Sequence, residues 1–447
     1  MTLSNEGKQM ILALQFVSGY GGEFRSWRLP GASTDAYTNM DYQVSIAKKA
    51  EEGKIHMIFS ADTPALTNDL SNQSPMHQMD PLVSFSAIAR ETNNIGLVST
   101  VSTTYSYPYN TARTMKTLDV MSGGRIGWNA VSSSMGGVAE NFGTRMLPRE
   151  KRYDMAYEAI EAVQTLWGSF GEEAMILNKK TGEYVDMSKV RYANYNGEYF
   201  KTKGPLPIPP SPQGQPPIFQ AGGGEKGIEM AGKYASGVYA NPFTIADAKM
   251  HRSALQESAK HYGRSGEDIK MLTGFMFTIG DTEEEALERR RQIIDYAPEM
   301  ETAQRVQYLG MMVNLRISIN DIDINQPLPQ ELISQISPNM MDPRAERVIE
   351  LIQKGLSVKD ILAHGVINYH PVVAGTAVQV ADFLEKWFTS GATDGFSIVP
   401  DSLHDGVEKF VEQVIPILQE RGLFHKDYEG STLRKNMGVP YQYGIRS

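Results

Sequence analysis

The stretch QAGGGEKG, residues 220–227, is where residue types and spacing most directly point to chemistry. Gly222, Gly224 and Gly227 fit G-x-G-x-x-G, the glycine spacing of a dinucleotide-binding turn. An apolar run, PPIFQA, precedes it, and a helical pattern, EKGIEMAGKYA, follows. Strand, glycine turn and helix together favour an anion, because bare backbone N–H groups and a helix N-terminus face it. A dinucleotide site also expects an Asp or Glu about twenty residues on, ending the next strand. Here that strand, GVYAN, ends in Asn241-Pro242. A mononucleotide phosphate therefore fits better than NAD. A tight turn that needs glycine only for close packing is the alternative.

Other residue types narrow the chemistry. The chain has no Cys, which excludes disulfides, thiolate nucleophiles and Cys-ligated zinc or iron–sulfur sites. It contains no H-x-H or H-E-x-x-H pattern, and the spacing of His364 and His370 fits no helix face, so both read as loop histidines and no metal is expected. Asp62, Asp281 and Asp401 lie near predicted strand ends, where two carboxylates would suit a glycosidase. Arg25 and Arg28 lie in the loop after the first predicted strand and suit a carboxylated substrate. The run EEEALERRR (283–291) reads as a solvated helix face with i,i+4 pairs. Net charge is −9 with no basic cluster, which argues against nucleic acid.

The elements that must position these residues alternate. ILALQFV, IHMIFS, IGLVSTVS, RIGWNAVS, PPIFQA, GVYAN, KMLTGFMFTIG and DGFSIVP read as strands. Helical patterns follow most of them, as in DYQVSIAKKAEEGK and KRYDMAYEAIEAVQTLW. Eight such units predict a parallel α/β sheet, and a closed (β/α)8 TIM-like barrel ahead of a doubly wound open sheet. Long insertions are expected after strands 1, 4 and 7, at about 19–39, 169–215 and 298–392, within a single domain over 1–447. Residues 298–345 are a candidate lid. MILALQFV (10–17) is too short and too interrupted for a signal peptide and reads as the first strand. No apolar run approaches a membrane span, so a cytoplasmic protein without membrane or nucleic-acid partners is expected.

Taken together, IFSADTPA, STVSTTYSYPYNTAR, LDVMSGGRIGWNAVSS, NFGTRMLPREKRYDMAYE, PPIFQAGGGEKG, ATDGFSIVPD and RGLFHKDYEGSTLR resemble the flavin-dependent monooxygenases of the bacterial luciferase-like superfamily. Within it, the chain is most similar to the nitrilotriacetate and dibenzothiophene-sulfone monooxygenase family. The resemblance implies a TIM-like barrel and reduced FMN from a separate NAD(P)H-dependent flavin reductase. It also implies oxygenation of a small-molecule substrate through a flavin C4a-hydroperoxide, and a homodimer or homotetramer. It places Asp62 and Asn129 at the flavin ring edge, either Thr100 or Thr104 against the flavin, and Tyr153, Gly223 and Gly224 at its phosphate. Two positions depart from the family pattern. Arg149 stands where His is common, and Gly224 where Ser is common. Arg149 still favours phosphate, while Gly224 can donate only through its backbone. Among substrates, the chain looks closest to members that break down S-substituted cysteines. A deazaflavin-dependent oxidoreductase and a flavin-binding relative without turnover are the alternatives on the same barrel.

Overall fold

The computed structural model describes residue 5, residues 7–77 and residues 79–444. Eight parallel strands close into a ring: β1 (Ile11–Phe16), β2 (Met57–Ser60), β3 (Gly96–Ser102), β4 (Ile126–Val131), β5 (Ile218–Gln220), β6 (Gly237–Ala240), β7 (Lys270–Ile279) and β8 (Gly395–Pro400). Each pairs with its sequence neighbours, and β8 pairs with β1 to complete the barrel.

These runs are apolar on both faces because both faces are buried. Along β1, Leu12, Leu14 and Phe16 face the surrounding helices, while Ile11 and Ala13 face the barrel axis. The same alternation puts Met57, Phe59, Val98, Phe219, Tyr239 and Leu272 inside. Leu433 and Met437, from the C-terminal segment, join that inner cluster. They plug the N-terminal end of the barrel: a Cβ on Gly96 at the start of β3 would stand 2.5 Å from Leu433 Cδ1.

A helix follows each strand: α1 (Met40–Glu52), α2 (Pro81–Glu91), α3 (Pro108–Met121), α4 (Arg149–Trp167), α5 (Glu225–Tyr234), α6 (Ile245–His261) and α7 (Glu283–Asp295). After β8 the chain winds through Leu403–Lys409, a π-turn at Phe410–Val414, and Ile415–Glu420. Four of the seven starts, those of α1, α2, α6 and α7, carry a side-chain cap. Asp80 accepts from Leu82 N and Val83 N ahead of Pro81, and Asn39 accepts from Tyr42 N.

The fold departs from the sequence reading in four places. The helix α6 has no counterpart there. Its buried positions, Ala248, Arg252, Leu255, Gln256 and Ala259, keep helical spacing but are mostly small or polar. Residues 61–77 belong to a further long loop after β2. Residues 169–215 carry two small hairpins, Met175–Asn178 with Glu183–Val185 and Tyr195–Asn196 with Lys201–Thr202. Finally, EEEALERRR is not simply a solvated face. Arg290 is buried against Glu23, and Arg289 binds Asp401 and Asp405.

The third insertion adds a ninth parallel strand, Val372–Gly375, along the outer half of β7. It also carries helices that pack with α7 into a second hydrophobic cluster around Leu287, Val306, Leu309 and Leu351. Among the described residues, no helix is long and apolar enough to cross a membrane.

Candidate active site

The inward positions at the C-terminal ends of the strands form the floor of a cavity of about 590 Å³. Gln15 from β1, Phe59 from β2, Thr100 from β3, Asn129 from β4, Tyr239 from β6, Gly274 from β7 and Ser397 from β8 line it. A second cavity of about 400 Å³ adjoins it, and Asp62, Thr63, Val131 and Ala221 line both. Arg149, Arg152 and Tyr153 from α4 line its far side, beside Ser132 and Ser133. This is the end of a parallel barrel where loops can converge on a ligand.

The sequence candidates fall into three groups. Asn129 and Thr100 are cross-strand neighbours on the floor, and Asn129 Nδ2 donates to Thr100 Oγ1 at 2.9 Å. Thr100 lines the cavity. Thr104 does not; it lies in the turn after β3, where its N–H donates to Ser102 Oγ.

Arg149, Tyr153 and the glycine turn form the second group. Arg149 and Tyr153 sit one helical turn apart on α4, and the guanidinium lies 5.8 Å from the ring centroid. A Cβ on Gly222 would stand 3.5 Å from Tyr153 Oη, and one on Gly224 would stand 2.6 Å from Arg149 Nη2. Gly224 is the N-cap of α5 and has no side chain to satisfy the first-turn N–H groups. Gly223 stands open except for His251.

Arg25 and Arg28 form the third group, and the structure brings neither into these cavities. Arg25 is buried and grips Glu301 with two nitrogens, and it also donates to Asn72. Arg28 is exposed, stacks on Tyr296 at 4.1 Å and donates to its carbonyl. Arg25 instead lines a separate cavity of about 330 Å³ beside Glu301. Of Asp62, Asp281 and Asp401, the three carboxylates considered for a glycosidase, Asp62 alone lines the cavity. Asp401 is buried against Arg289, and Asp281 is exposed. Among the described residues, no cluster of three or more His, Asp or Glu is placed to hold a metal ion.

Four buried polar atoms of the larger cavity's lining residues have no hydrogen-bond partner among the described residues: Asn129 Oδ1, His251 Nε2, His370 Nδ1 and Ser397 Oγ. Such orphans are rare in folded proteins, and their concentration in one cavity marks a place built for a polar ligand. Electrostatics agree. Burial, reinforced by the charge of Asp80, pushes the Asp62 carboxyl up to about 6, against the pull of the Thr63 N–H. Burial pushes His370 down to about 3 and lowers His251 and His77 as well, so the cavity is lined by neutral imidazoles.

A planar heteroaromatic ring with a phosphate tail fits this shape. The tail would reach Arg149, Tyr153 and the open N-terminus of α5. The ring would meet the unpaired amide oxygen of Asn129 and the carboxyl of Asp62. FMN has these parts.

Several lining residues lay beyond sequence reasoning. His251 sits on the helix that was not anticipated. Arg152 holds the β4–α4 connection open by donating to the carbonyls of Leu147 and Ser132. His370 is not an ordinary loop histidine, because it enters the cavity, whereas His364 caps the end of the short helix Val358–Ala363.

The profile of the family described as luciferase-like monooxygenase matches residues 22–327. An N-acetyl-S-(2-succino)cysteine monooxygenase of Bacillus subtilis (strain 168) is 37% identical over 442 residues, 98% of either chain. Component A of a nitrilotriacetate monooxygenase of Aminobacter aminovorans is 35% identical over 97% of either chain. The structure of an EDTA monooxygenase from Chelativorans sp. BNC1 superposes with a TM-score of 0.81 at 30% identity, covering 97% of this chain and 99% of that one.

Proposed function

The chain belongs to the luciferase-like monooxygenase family, and from that premise we propose that it oxygenates a small carboxylated substrate, an S-substituted cysteine above all, using reduced FMN from a separate flavin reductase. The observation that carries the site is the cavity of unpaired buried polar atoms at the barrel mouth, which adjoins a second cavity of about 400 Å³ lined by Arg149 and Tyr153. The substrate class is supported by the two relatives named above, whose named substrates both carry carboxylates. The same relatives weigh against a deazaflavin-dependent oxidoreductase.

The chemistry that FMN supplies when bound is reductive activation of O2, with one oxygen atom entering the substrate and the other leaving as water. This chain's residues bind, orient and dry. Arg149, Tyr153 and the backbone N–H groups after Gly223 hold the phosphate. Asn129, aligned by its bond to Thr100, and Asp62 fix the ring edge. Phe59, Tyr239 and Val131 supply apolar wall that keeps water from the reacting face.

The reaction itself is the first test. With a flavin reductase, FMN, NADH and N-acetyl-S-(2-succino)cysteine, the chain should take up O2 and release free thiol. Without the reductase it should leave NADH untouched. NADH oxidation by the chain alone would overturn the two-component reading. Full O2 uptake without thiol would overturn the substrate.

Asp62 supplies a second test. Its carboxyl titrates near 6, so it is protonated below that pH and a hydrogen-bond acceptor above it. The pyrimidine edge of a flavin presents an N–H donor, which prefers the ionised form. Affinity should therefore rise several-fold as pH passes upward through about 6. Riboflavin is the ligand to titrate, because a phosphate monoester has its own pKa near 6. The rise should vanish in Asp62→Asn. A pH profile identical in both proteins would remove Asp62 from the ring contact.

A further inference from the structure

His370 reaches the barrel mouth through a gap in its wall. At the level of the cavity floor the strands present side chains to the interior: Gln15, Phe59, Thr100, Asn129, Tyr239 and Ser397. The strand β7 presents Gly274, and the imidazole of His370 occupies the space where a Cβ would be. Any larger residue at 274 would evict the ring.

The approach is rigid. The residues after His370 are bonded to β7, with Met276 N donating to Pro371 O at 2.9 Å and Val372–Gly375 running parallel to Met276–Ile279. On its other side the ring packs on Tyr369, with centroids 4.4 Å apart. A histidine is thus delivered by an insertion and clamped to a barrel strand. Its Nδ1 is buried without a partner. A packing role alone would not require a nitrogen there.

Position assigns the ligand. In a closed ring of eight strands, β3 and β7 are diametrically opposed. Thr100 and Asn129 stand on the β3–β4 side of the mouth, and the phosphate recess continues from there past Arg149. A flavin held along that side leaves His370 facing it across the remaining space, where the molecule to be oxidised must lie.

We propose that His370 is a substrate-binding residue, seated by Gly274, that hydrogen-bonds a polar group of the substrate across the cavity from the flavin edge. The proposal rests on the flavin placement given above. Burial keeps the ring neutral, with its pKa near 3, so it offers one N–H donor and one lone pair across the working pH range. It therefore suits a carboxylate or amide oxygen, both of which N-acetyl-S-(2-succino)cysteine carries.

The experiment compares His370→Phe, His370→Gln and Gly274→Ala with wild type. FMN affinity is read by fluorescence titration. Steady-state kinetics use N-acetyl-S-(2-succino)cysteine, nitrilotriacetate or dibenzothiophene sulfone, whichever wild type turns over. His370→Phe keeps a ring and loses the hydrogen bond, so kcat/KM should fall about tenfold to a hundredfold, mainly through KM. Gly274→Ala should reproduce that loss by displacing the ring. His370→Gln should recover part of it. FMN affinity should stay within about twofold of wild type in the two His370 variants.

Unchanged kcat/KM in His370→Phe overturns the proposal, and this holds even if Gly274→Ala fails to fold. A tenfold loss of FMN affinity in His370→Phe also overturns it, because the ring would then touch the cofactor. If wild type turns over none of the three compounds, the substrate reading falls separately. The flavin titration then decides for His370: unchanged affinity supports a ring standing clear of the cofactor, and a tenfold loss overturns it.

Discussion

Gly224→Asp should bind FMN at least tenfold more weakly than wild type, while Gly224→Ser binds it about as well. Gly224 is the N-cap of α5 with φ −82° and ψ 165°, a conformation open to any residue. Neither substitution is therefore strained. A Cβ at this position meets only Nη2 of Arg149, the far end of an exposed side chain that can swing aside. An Asp here would accept from the first-turn N–H groups of α5 and pair with Arg149. Those are the groups that would hold a phosphate, and a fixed carboxylate would repel it. The same substitution caps a helix that has no side-chain cap, worth about 0.5–2 kcal/mol of stability. The two readouts should therefore move in opposite directions, with Tm rising slightly and FMN affinity falling. Riboflavin, which lacks the phosphate, should bind wild type weakly and be indifferent to the change. If Gly224→Asp binds FMN like wild type, this turn is only a corner and the phosphate lies elsewhere.

The barrel was legible because its strands are buried on both faces. ILALQFV or KMLTGFMFTI has no other physical use in a chain of this composition. The resemblance attaches Asn129, Thr100 and Asp62 to strand ends, and all three line the cavity. What escaped was whatever depends on long-range placement. The helix α6 hides because its inner face is built from Ala248, Arg252 and Gln256 rather than from large apolar residues. His251 was lost with it. His370 read as a loop histidine because nothing near it in sequence reveals that Gly274, ninety-six positions earlier, leaves a gap of its size.

The arginines make contacts that the sequence alone does not show. By sequence Arg25 and Arg28 suit a carboxylated substrate; in the fold Glu301 from the third insertion contacts the first and Tyr296 at the end of α7 the second. By sequence Arg289 and Arg290 belong to a solvated face; in the fold they hold Asp401 and Glu23. A sequence shows how many charges a segment carries. Only the fold shows which of them meet.

The opposite end of the barrel supplies the prediction with the largest effect on folding. There a buried ion pair joins α6 to β8. Arg252 from α6 donates through Nε and Nη2 to both oxygens of Asp394, at the entry to β8, and through Nη1 to Gly391 O at 3.1 Å. Asp394 Oδ2 also accepts from Met271 N at 2.9 Å, which ties β7 to β8. The two side chains are only 2% and 7% exposed. Asp394→Ala leaves a buried guanidinium without its counter-charge and frees the Met271 N–H. It should cost about 3–5 kcal/mol of unfolding free energy. The loss should appear as a lower denaturant midpoint.

Burial of an unpaired charge, rather than loss of attraction, is the larger part of that cost. The double variant Arg252→Met/Asp394→Leu should therefore recover most of it. FMN affinity of the folded protein should be unaffected by either, because the pair sits at the barrel end away from the cavity. A single variant that loses less than about 1 kcal/mol, or a double variant no better than the single, would show that solvent reaches this pair. In that case α6 would be held to the barrel mainly by the packing of Ala248, Leu255 and Ala259.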